Sequence, residues 1–412
     1  MIPFSRPAEE GDAILGVRPR IVYEPATVEE AGQAVGDSAR EKRALVFVGG
    51  GTDLGLGGAP ALLDAVVRTS RLDRIVEHAP SDQIVAVEAG IPLARLQAAL
   101  ALDGQRLALD PPDAERKTLG GIIAANAYGP RRARFGSVRD LLIGISFLRA
   151  DGAAARGGGK VVKNVAGFDL PKLMVGSLGT LGLITTATFR LHPLPDEEVT
   201  LLLPGRTAAG VRALVAALRE AQLEPASVIA AWRQDGRFDI GVSFEGFRAG
   251  VAEQRERLAR LVLPGTGSAC EILDPAAAAA FRARHDELRT APELRAKVAA
   301  LRTHIEPITA DVLPPLLDSL ENPGFVWYAT LGLGFLSGAP ADGGSTVRAL
   351  HAARARLAGL GGTLTLEASP AEIRAHVPVW GEKPVALPLM KAVKERLDPE
   401  RRLAPGRFVG GI

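Results

Sequence analysis

The 412-residue chain holds one cysteine, Cys270. That excludes an intramolecular disulfide, and it excludes an iron–sulfur cluster held by this chain's thiolates, which takes several. Histidine is also scarce: His78, His192, His285, His304, His351 and His376 are all there are, and no two stand at metal-ligand spacing. The reading is therefore of no metal site. No apolar run is long enough to cross a bilayer, and the opening MIPFSRPAEEGDA carries acids where a signal peptide has an apolar stretch. A cytoplasmic protein without a membrane span is expected, peripheral to a membrane only through partners. The net charge of +2, with basic residues scattered along the chain, gives no footing for nucleic acid. At 47% hydrophobic and 23% charged residues the composition is that of an ordinary globular protein, and the length implies two domains rather than one core.

Glycine is plentiful, and in three places it clusters beside a strand pattern. Ala44 to Val48 (ALVFV) reads as a buried strand leading into Gly49-Gly50-Gly51-Thr52-Asp53-Leu54-Gly55. Such a loop can turn several backbone N–H groups toward one point, a nest suited to a pyrophosphate. A rigid turn at Asp110-Pro111-Pro112 precedes the second loop, Thr118 to Gly129, whose Ala124, Ala125 and Ala127 would let it press against a flat ligand. The third stretch is Lys163 to Pro195. Gly176, Gly179 and Gly182 surround Ser177 and Thr180, and strict alternation follows, with Leu183, Thr185, Ala187, Phe189 and Leu191 on one face. A loop of this kind taken alone can also be read as a plain turn. Together they read as one cofactor cradle. The better-known motifs fail: Leu54 stands where a Rossmann fingerprint needs glycine, Ala154 and Val161 break a P-loop, and Val175 breaks a nucleophile elbow at Ser177.

Elsewhere the pattern predicts strands at Ile21–Tyr23, Leu62–Val67, Ile84–Val87 and Leu141–Leu148. Helices are expected from a capping box at Thr27 and Glu30, and over Leu93–Leu102. From residue 196 the texture changes to α+β units. Strands at Val199–Leu203, Ser227–Trp232, Phe238–Phe244, Phe325–Leu331 and Thr363–Leu366 alternate with helices at Ala208–Leu218, 251–263 and Thr346–Leu357.

Four segments carry a resemblance: VFVGGGTDLGLGG, LDPPDAERKTLGGIIAANAYGPRRARFGSVRDLLIG, KVVKNVAGFDLPKLMVGSLGTLGLITTATFRLHPLP and, near the C-terminus, LDPERRLAPGRF. They are similar to the flavin-binding fold of the vanillyl-alcohol oxidase type, and within it to the E subunits of glycolate oxidases. The resemblance implies an α+β protein. A PCMH-type FAD-binding domain of two α/β subdomains would span 14–195, an α+β ferredoxin-like cap 196–379, and a segment at 380–412 would return to the FAD domain. It implies FAD held at its pyrophosphate by Gly49, Gly50, Gly51, Thr52 and Asp53. Pro111, Thr118, Gly120, Gly121, Asn126, Gly129 and Gly136 would lie along the pyrophosphate and isoalloxazine, and Gly182 to Ile184 would meet the adenine side.

Relatives that bind flavin covalently carry histidine or cysteine at the attachment position, commonly beside the first loop; this chain has neither there, which implies non-covalent FAD. Ala404 stands where relatives have asparagine. Catalytic members carry a histidine-rich metal motif on a cap strand, whereas Ala329–Leu336 here has no histidine or carboxylate. Arg302 and His304 are the nearby pair able to hold a carboxylate and take a proton, and they read as structural before catalytic. The partners implied are a catalytic flavoprotein subunit, an iron–sulfur subunit and a small 2-hydroxy-acid substrate such as glycolate. The alternatives are a stand-alone FAD-dependent 2-hydroxy-acid or alcohol oxidoreductase and a flavin-free assembly subunit.

Overall fold

The computed structural model describes residues 2–160, 167–262 and 270–412. Residues 163–166 of the third glycine stretch, Val161 and the end of the helix expected at 251–263 lie outside the described residues. The chain divides into two compact units, one of Met1–Tyr128, Gly136–Pro193 and Glu382–Ile412, the other of Gly129–Phe135 and Leu194–Gly381. No helix among the described residues is long and apolar enough to cross a membrane.

The first unit is built on two sheets. In the first, β2 (Ile21–Tyr23), β3 (Leu45–Val48) and β4 (Ala65–Arg68) run parallel in the order β2-β4-β3, and β1 (Ser5–Pro7) pairs antiparallel with β2. Parallel neighbours need a crossover, and helix α1 (Val28–Arg40) supplies it between β2 and β3. Its start is fixed by sequence. Thr27 Oγ1 accepts the Glu30 N–H at 3.1 Å, while the Glu30 carboxylate accepts the Ala26 N–H at 2.7 Å, one residue earlier than the usual reciprocal cap. The helix buries Ala31, Ala34 and Val35 against Tyr23, Leu45, Ala65 and Val67. The fourth strand starts three residues later than the apolar run predicts. Leu62 is exposed, and pairing begins only at Ala65, opposite Leu45.

The second sheet is antiparallel, in the order β5-β6-β10-β8-β9, from β5 (Ile75–Ala79), β6 (Ile84–Glu88), β8 (Leu142–Leu148), β9 (Ala154–Gly158) and β10 (Leu183–Arg190). A two-stranded ribbon joins β7 (Gln105–Arg106) to β11 (His192–Pro193). The alternating strand predicted from Leu183 is central to its sheet, with Leu183, Thr185, Ala187, Phe189 and Leu191 all buried.

The C-terminal segment closes this unit. Leu45 N–H donates to Arg402 O at 2.8 Å and Ala404 N–H to Leu45 O at 2.7 Å, so the segment continues the ladder at the edge of β3. The lock is Lys394, on the helix Leu387–Leu397. Its ammonium donates to Asp398 Oδ2 at 2.6 Å, Leu403 O at 2.7 Å and Thr180 O at 2.8 Å, with both charged residues buried. Burial holds the Lys394 pKa below its ordinary value, against the opposing pull of Asp398. Removing one member of a buried pair strands the other charge. Lys394→Ala should therefore lower unfolding stability by about 3–5 kcal/mol, read as a shifted urea midpoint at unchanged slope. Lys394→Met combined with Asp398→Asn should recover part of that loss.

Among the described residues the second unit is one antiparallel sheet of eight strands: β12 (Glu197–Arg206), β13 (Ser227–Trp232), β14 (Phe238–Gly246), β15 (Glu271–Ile272), β16 (Leu294–Ala299), β17 (Leu320–Tyr328), β18 (Leu333–Pro340) and β19 (Thr363–Ala368). The order is β15-β12-β14-β13-β17-β18-β16-β19. Strands β12 to β15, with helices Ala208–Glu220 and Arg248–Val262, make one β-α-β-β-α-β set in the ferredoxin-like order 4-1-3-2. Strands β16 to β19 repeat it in mirror order, with helical turns at Ile305–Leu317 and the helix Gly343–Gly359. The two repeats join edge to edge where β13 pairs with β17, Ala230 opposite Trp327. Trp327, Phe325, Phe238 and Phe244 lie buried in its core.

The strand expected over Phe325–Leu331 is corrected here. It ends at Tyr328, and Ala329–Gly332 is the turn of the β17–β18 hairpin. Gly332 takes φ +71°, and a Cβ there would stand 2.1 Å from Ala300 O. The segment Ala329–Leu336 is thus half turn and half strand. Strands β16 and β18 were not legible as separate strands.

Candidate functional site

Strand β3 delivers the chain into Gly49–Gly55, at the mouth of a cavity of about 790 Å³, open side included. The cavity is lined from three segments of the first unit: Val46 to Leu54, Lys117 to Ala125, and Leu178 to Ile184, with Arg407 from the C-terminal segment. The N–H groups of Gly50, Gly51, Thr52 and Asp53 have no acceptor among the described residues. Gly51, at φ +74°, bends the row. Successive unpaired donors on a cavity wall form a site for an anion.

Hydrogen bonds to the backbone bring the three segments together. Helix α2 (Leu93–Ala101) starts where Leu93 N–H reaches Lys117 O at 2.9 Å, and Lys117 N–H in turn reaches Asp113 O at 2.9 Å. Leu119 and Gly120 donate to Ile91 O and Ala89 O at 3.0 and 2.7 Å. From Leu119 to Ala125 the second glycine segment is helical (α3), which a loop reading did not anticipate. Thr118 caps it, its Oγ1 accepting Gly121 N–H at 3.3 Å. At the other end Gly176 and Leu178 donate to Ile123 O and Ala124 O, each at 2.9 Å, so the third glycine segment caps the last turn of the second. Arg407 fastens the first segment: its guanidinium donates to Leu54 O at 2.9 Å, Leu56 O at 2.7 Å and Gly58 O at 3.2 Å.

Ten of the residues singled out from sequence line this cavity: Gly49, Gly50, Gly51, Thr52, Asp53, Thr118, Gly120, Gly121, Gly182 and Ile184. Four do not. Asn126 is the left-handed C-cap of α3 at φ +49°, and Gly136, at φ +81°, precedes the capping box of Ser137 and Asp140. Pro111 is buried away from the lining, and Gly129 falls in the second unit. Arg302 is exposed, and His304 begins the short helix Ile305–Pro307 with its Nδ1 unpartnered among the described residues; neither lines the cavity. Among the described residues there is no group of three or more His, Cys, Asp and Glu side chains able to hold a metal. Sequence reasoning missed Lys117 and Arg407, which stand beside Thr118 and Gly406, because a lone basic residue is most often solvated and its type gives no sign of burial.

The glycines differ in what requires them. A Cβ on Gly50 would lie 1.7 Å from Arg116 O, on Gly49 2.1 Å from Thr118 Oγ1, and on Gly182 2.7 Å from Leu148 O and 2.8 Å from Phe147 Cδ2. These are demands of the protein's own packing. Gly121 differs: a Cβ there meets only Thr118 Oγ1 at 3.2 Å. It would project where the cavity is.

Residues 19–158 match the family model described as FAD binding domain. The first unit carries an FAD-binding domain. The cavity fits that cofactor on its own terms, offering a row of anion donors, a wall of small residues and apolar side chains at Leu178, Leu183 and Ile184. The chain is 34% identical over 237 residues to glycolate oxidase subunit GlcE of Escherichia coli, covering 57% of this chain and 64% of that one. It is 37% identical over 186 residues to a D-lactate dehydrogenase of Archaeoglobus fulgidus, 45% of this chain and 41% of that one. The chain thus spans less than two thirds of the length of either relative. Solved structures of alkyldihydroxyacetonephosphate synthase superpose with TM-scores of 0.72 and 0.70 at 16% identity, over 95% of this chain and 77% and 78% of theirs, which shows a shared fold.

The contrast among glycines gives a test. Gly121→Val should abolish FAD binding, read by flavin absorbance, with circular dichroism and thermal midpoint preserved. Gly182→Val should instead lower the midpoint itself, since its clash is with protein backbone and a buried ring.

Proposed function

We propose that this chain is the FAD-binding subunit of a multi-subunit oxidase that converts a small 2-hydroxy acid, glycolate, to glyoxylate and passes the electrons to an iron–sulfur partner. The row of unpaired N–H groups from Gly50 to Asp53 carries the reading, because it is chemistry for a diphosphate on a domain of the FAD-binding family. In this proposal Gly49 to Asp53 hold the pyrophosphate, while Thr118, Gly120 and Gly121, with Ala124 and Ala125, face the flat part of the cofactor. Gly182 to Ile184 meet the adenine side. FAD, when bound, supplies an acceptor that takes electrons in pairs and releases them singly.

The chain's own contribution is to bind, orient and exclude water. Leu178, Leu183 and Ile184 provide apolar walls, and Arg407 and Lys394 hold the walls in register. No His or Cys lines the cavity among the described residues, which favours a flavin held without a covalent bond. A single cysteine cannot ligate a cluster, so an electron wire of iron–sulfur clusters belongs to another polypeptide. The catalytic flavoprotein subunit is a further partner in this reading, supported by the likeness to a protein named as a glycolate oxidase subunit. A second reading, an FAD-dependent 2-hydroxy-acid dehydrogenase acting alone, is favoured by the match to a D-lactate dehydrogenase.

Two measurements check the proposal. Acid precipitation of the purified protein should release all the yellow chromophore into the supernatant; colour retained in the pellet contradicts non-covalent binding. A tagged protein pulled from its native host should bring iron and acid-labile sulfide with it, and the isolated chain should oxidise glycolate little or not at all. An iron-free protein that reduces quinone with glycolate unaided supports the second reading instead.

A further inference from the structure

Beside the Gly50–Asp53 donors the cavity wall holds a charged pair. The Lys117 side chain is 6% exposed, and its ammonium donates to Asp53 Oδ2 at 2.5 Å and Thr52 Oγ1 at 3.1 Å. An ammonium has three hydrogens to donate. The third has no acceptor among the described residues, and Lys117 lines the cavity. Asp53 is the awkward member: it places a carboxylate on the loop whose N–H groups form the anion site. A like charge a few ångströms from a diphosphate opposes binding strongly, since screening inside a pocket is weaker than in water. Lys117 is positioned to cancel it.

We propose that Lys117 is the cation of this cradle, neutralising Asp53 and donating its remaining N–H to the diphosphate of the dinucleotide, so that the site selects a flavin carrying a diphosphate over the bare isoalloxazine. The inference rests on the FAD reading above and deepens it. The geometry supplies what the selectivity needs. The Lys117 backbone is fixed at both ends by the Asp113 and Leu93 bonds, and its side chain is buried, so the charge is held in place before the ligand arrives. A charge-assisted hydrogen bond to phosphate is among the stronger polar contacts available.

The test is titration of flavin-stripped full-length protein with FAD and, separately, with riboflavin, followed by quenching of flavin fluorescence. Lys117→Met should weaken FAD at least tenfold and leave riboflavin within about twofold of wild type. Lys117→Arg should retain most of the FAD affinity. The double variant Lys117→Met with Asp53→Asn should bind FAD more tightly than Lys117→Met alone, because the stranded carboxylate is gone; this variant also serves if Lys117→Met does not fold. Equal loss of both ligands, or unchanged FAD binding in Lys117→Met, overturns the inference while leaving the FAD reading in place. A wild-type protein that binds neither flavin overturns both.

Discussion

Four consecutive residues that line a cavity, Gly50 to Asp53, have backbone N–H groups with no acceptor among the described residues, and the rest of the first unit holds that loop in place. A polar group left unpaired costs free energy wherever water is excluded. Other bonds hold the half-buried loop: β3 brings it in, and three carbonyls at its exit are held by the Arg407 guanidinium. The C-terminal segment that supplies Arg407 is itself anchored by the buried Lys394, which reaches Thr180 on the third glycine segment. One chain of contacts thus runs from the far end of the sequence to the loop that awaits an anion.

This arrangement explains why so many glycines are needed and why they are not equivalent. At positions 49, 50 and 182 the chain packs against the Thr118 side chain, its own backbone or a buried ring with no room for a Cβ. Those glycines let three segments close on one another. At 121 the space belongs to the cavity. A cofactor gripped by main chain requires both kinds.

Much of this was legible in the sequence, for physical reasons. A run such as ALVFV followed by three glycines leaves little choice but a buried strand and a tight loop, and the alternation from Leu183 matches the burial of β10 except at Ile184, which is buried too and lines the cavity. The second segment was legible as part of the site and not as a helix, because two glycines mask the helical preference of its Leu, Ile and Ala neighbours until Thr118 caps it. Asn126 and Gly136 share a motif with the lining residues yet serve local turns, a distinction that needs coordinates. Lys117 and Arg407 escaped notice because a lone basic residue is most often a solvated one, and only the fold buries them. In the second unit β16 and β18 were not read as strands, although Gly332 marks the turn before β18, and the doubled ferredoxin-like order appears only once pairing is known.

The central claim, that the backbone of Gly50 to Asp53 is the binding surface for the diphosphate of FAD, is tested most directly by amide hydrogen exchange. Flavin-stripped protein and the same protein saturated with FAD should be compared by mass spectrometry of peptides spanning residues 49–56. The account predicts fast exchange in the stripped protein and marked slowing in that peptide with FAD, because N–H groups that had no protein partner acquire one. Tight FAD binding with exchange at 49–56 unchanged would contradict it.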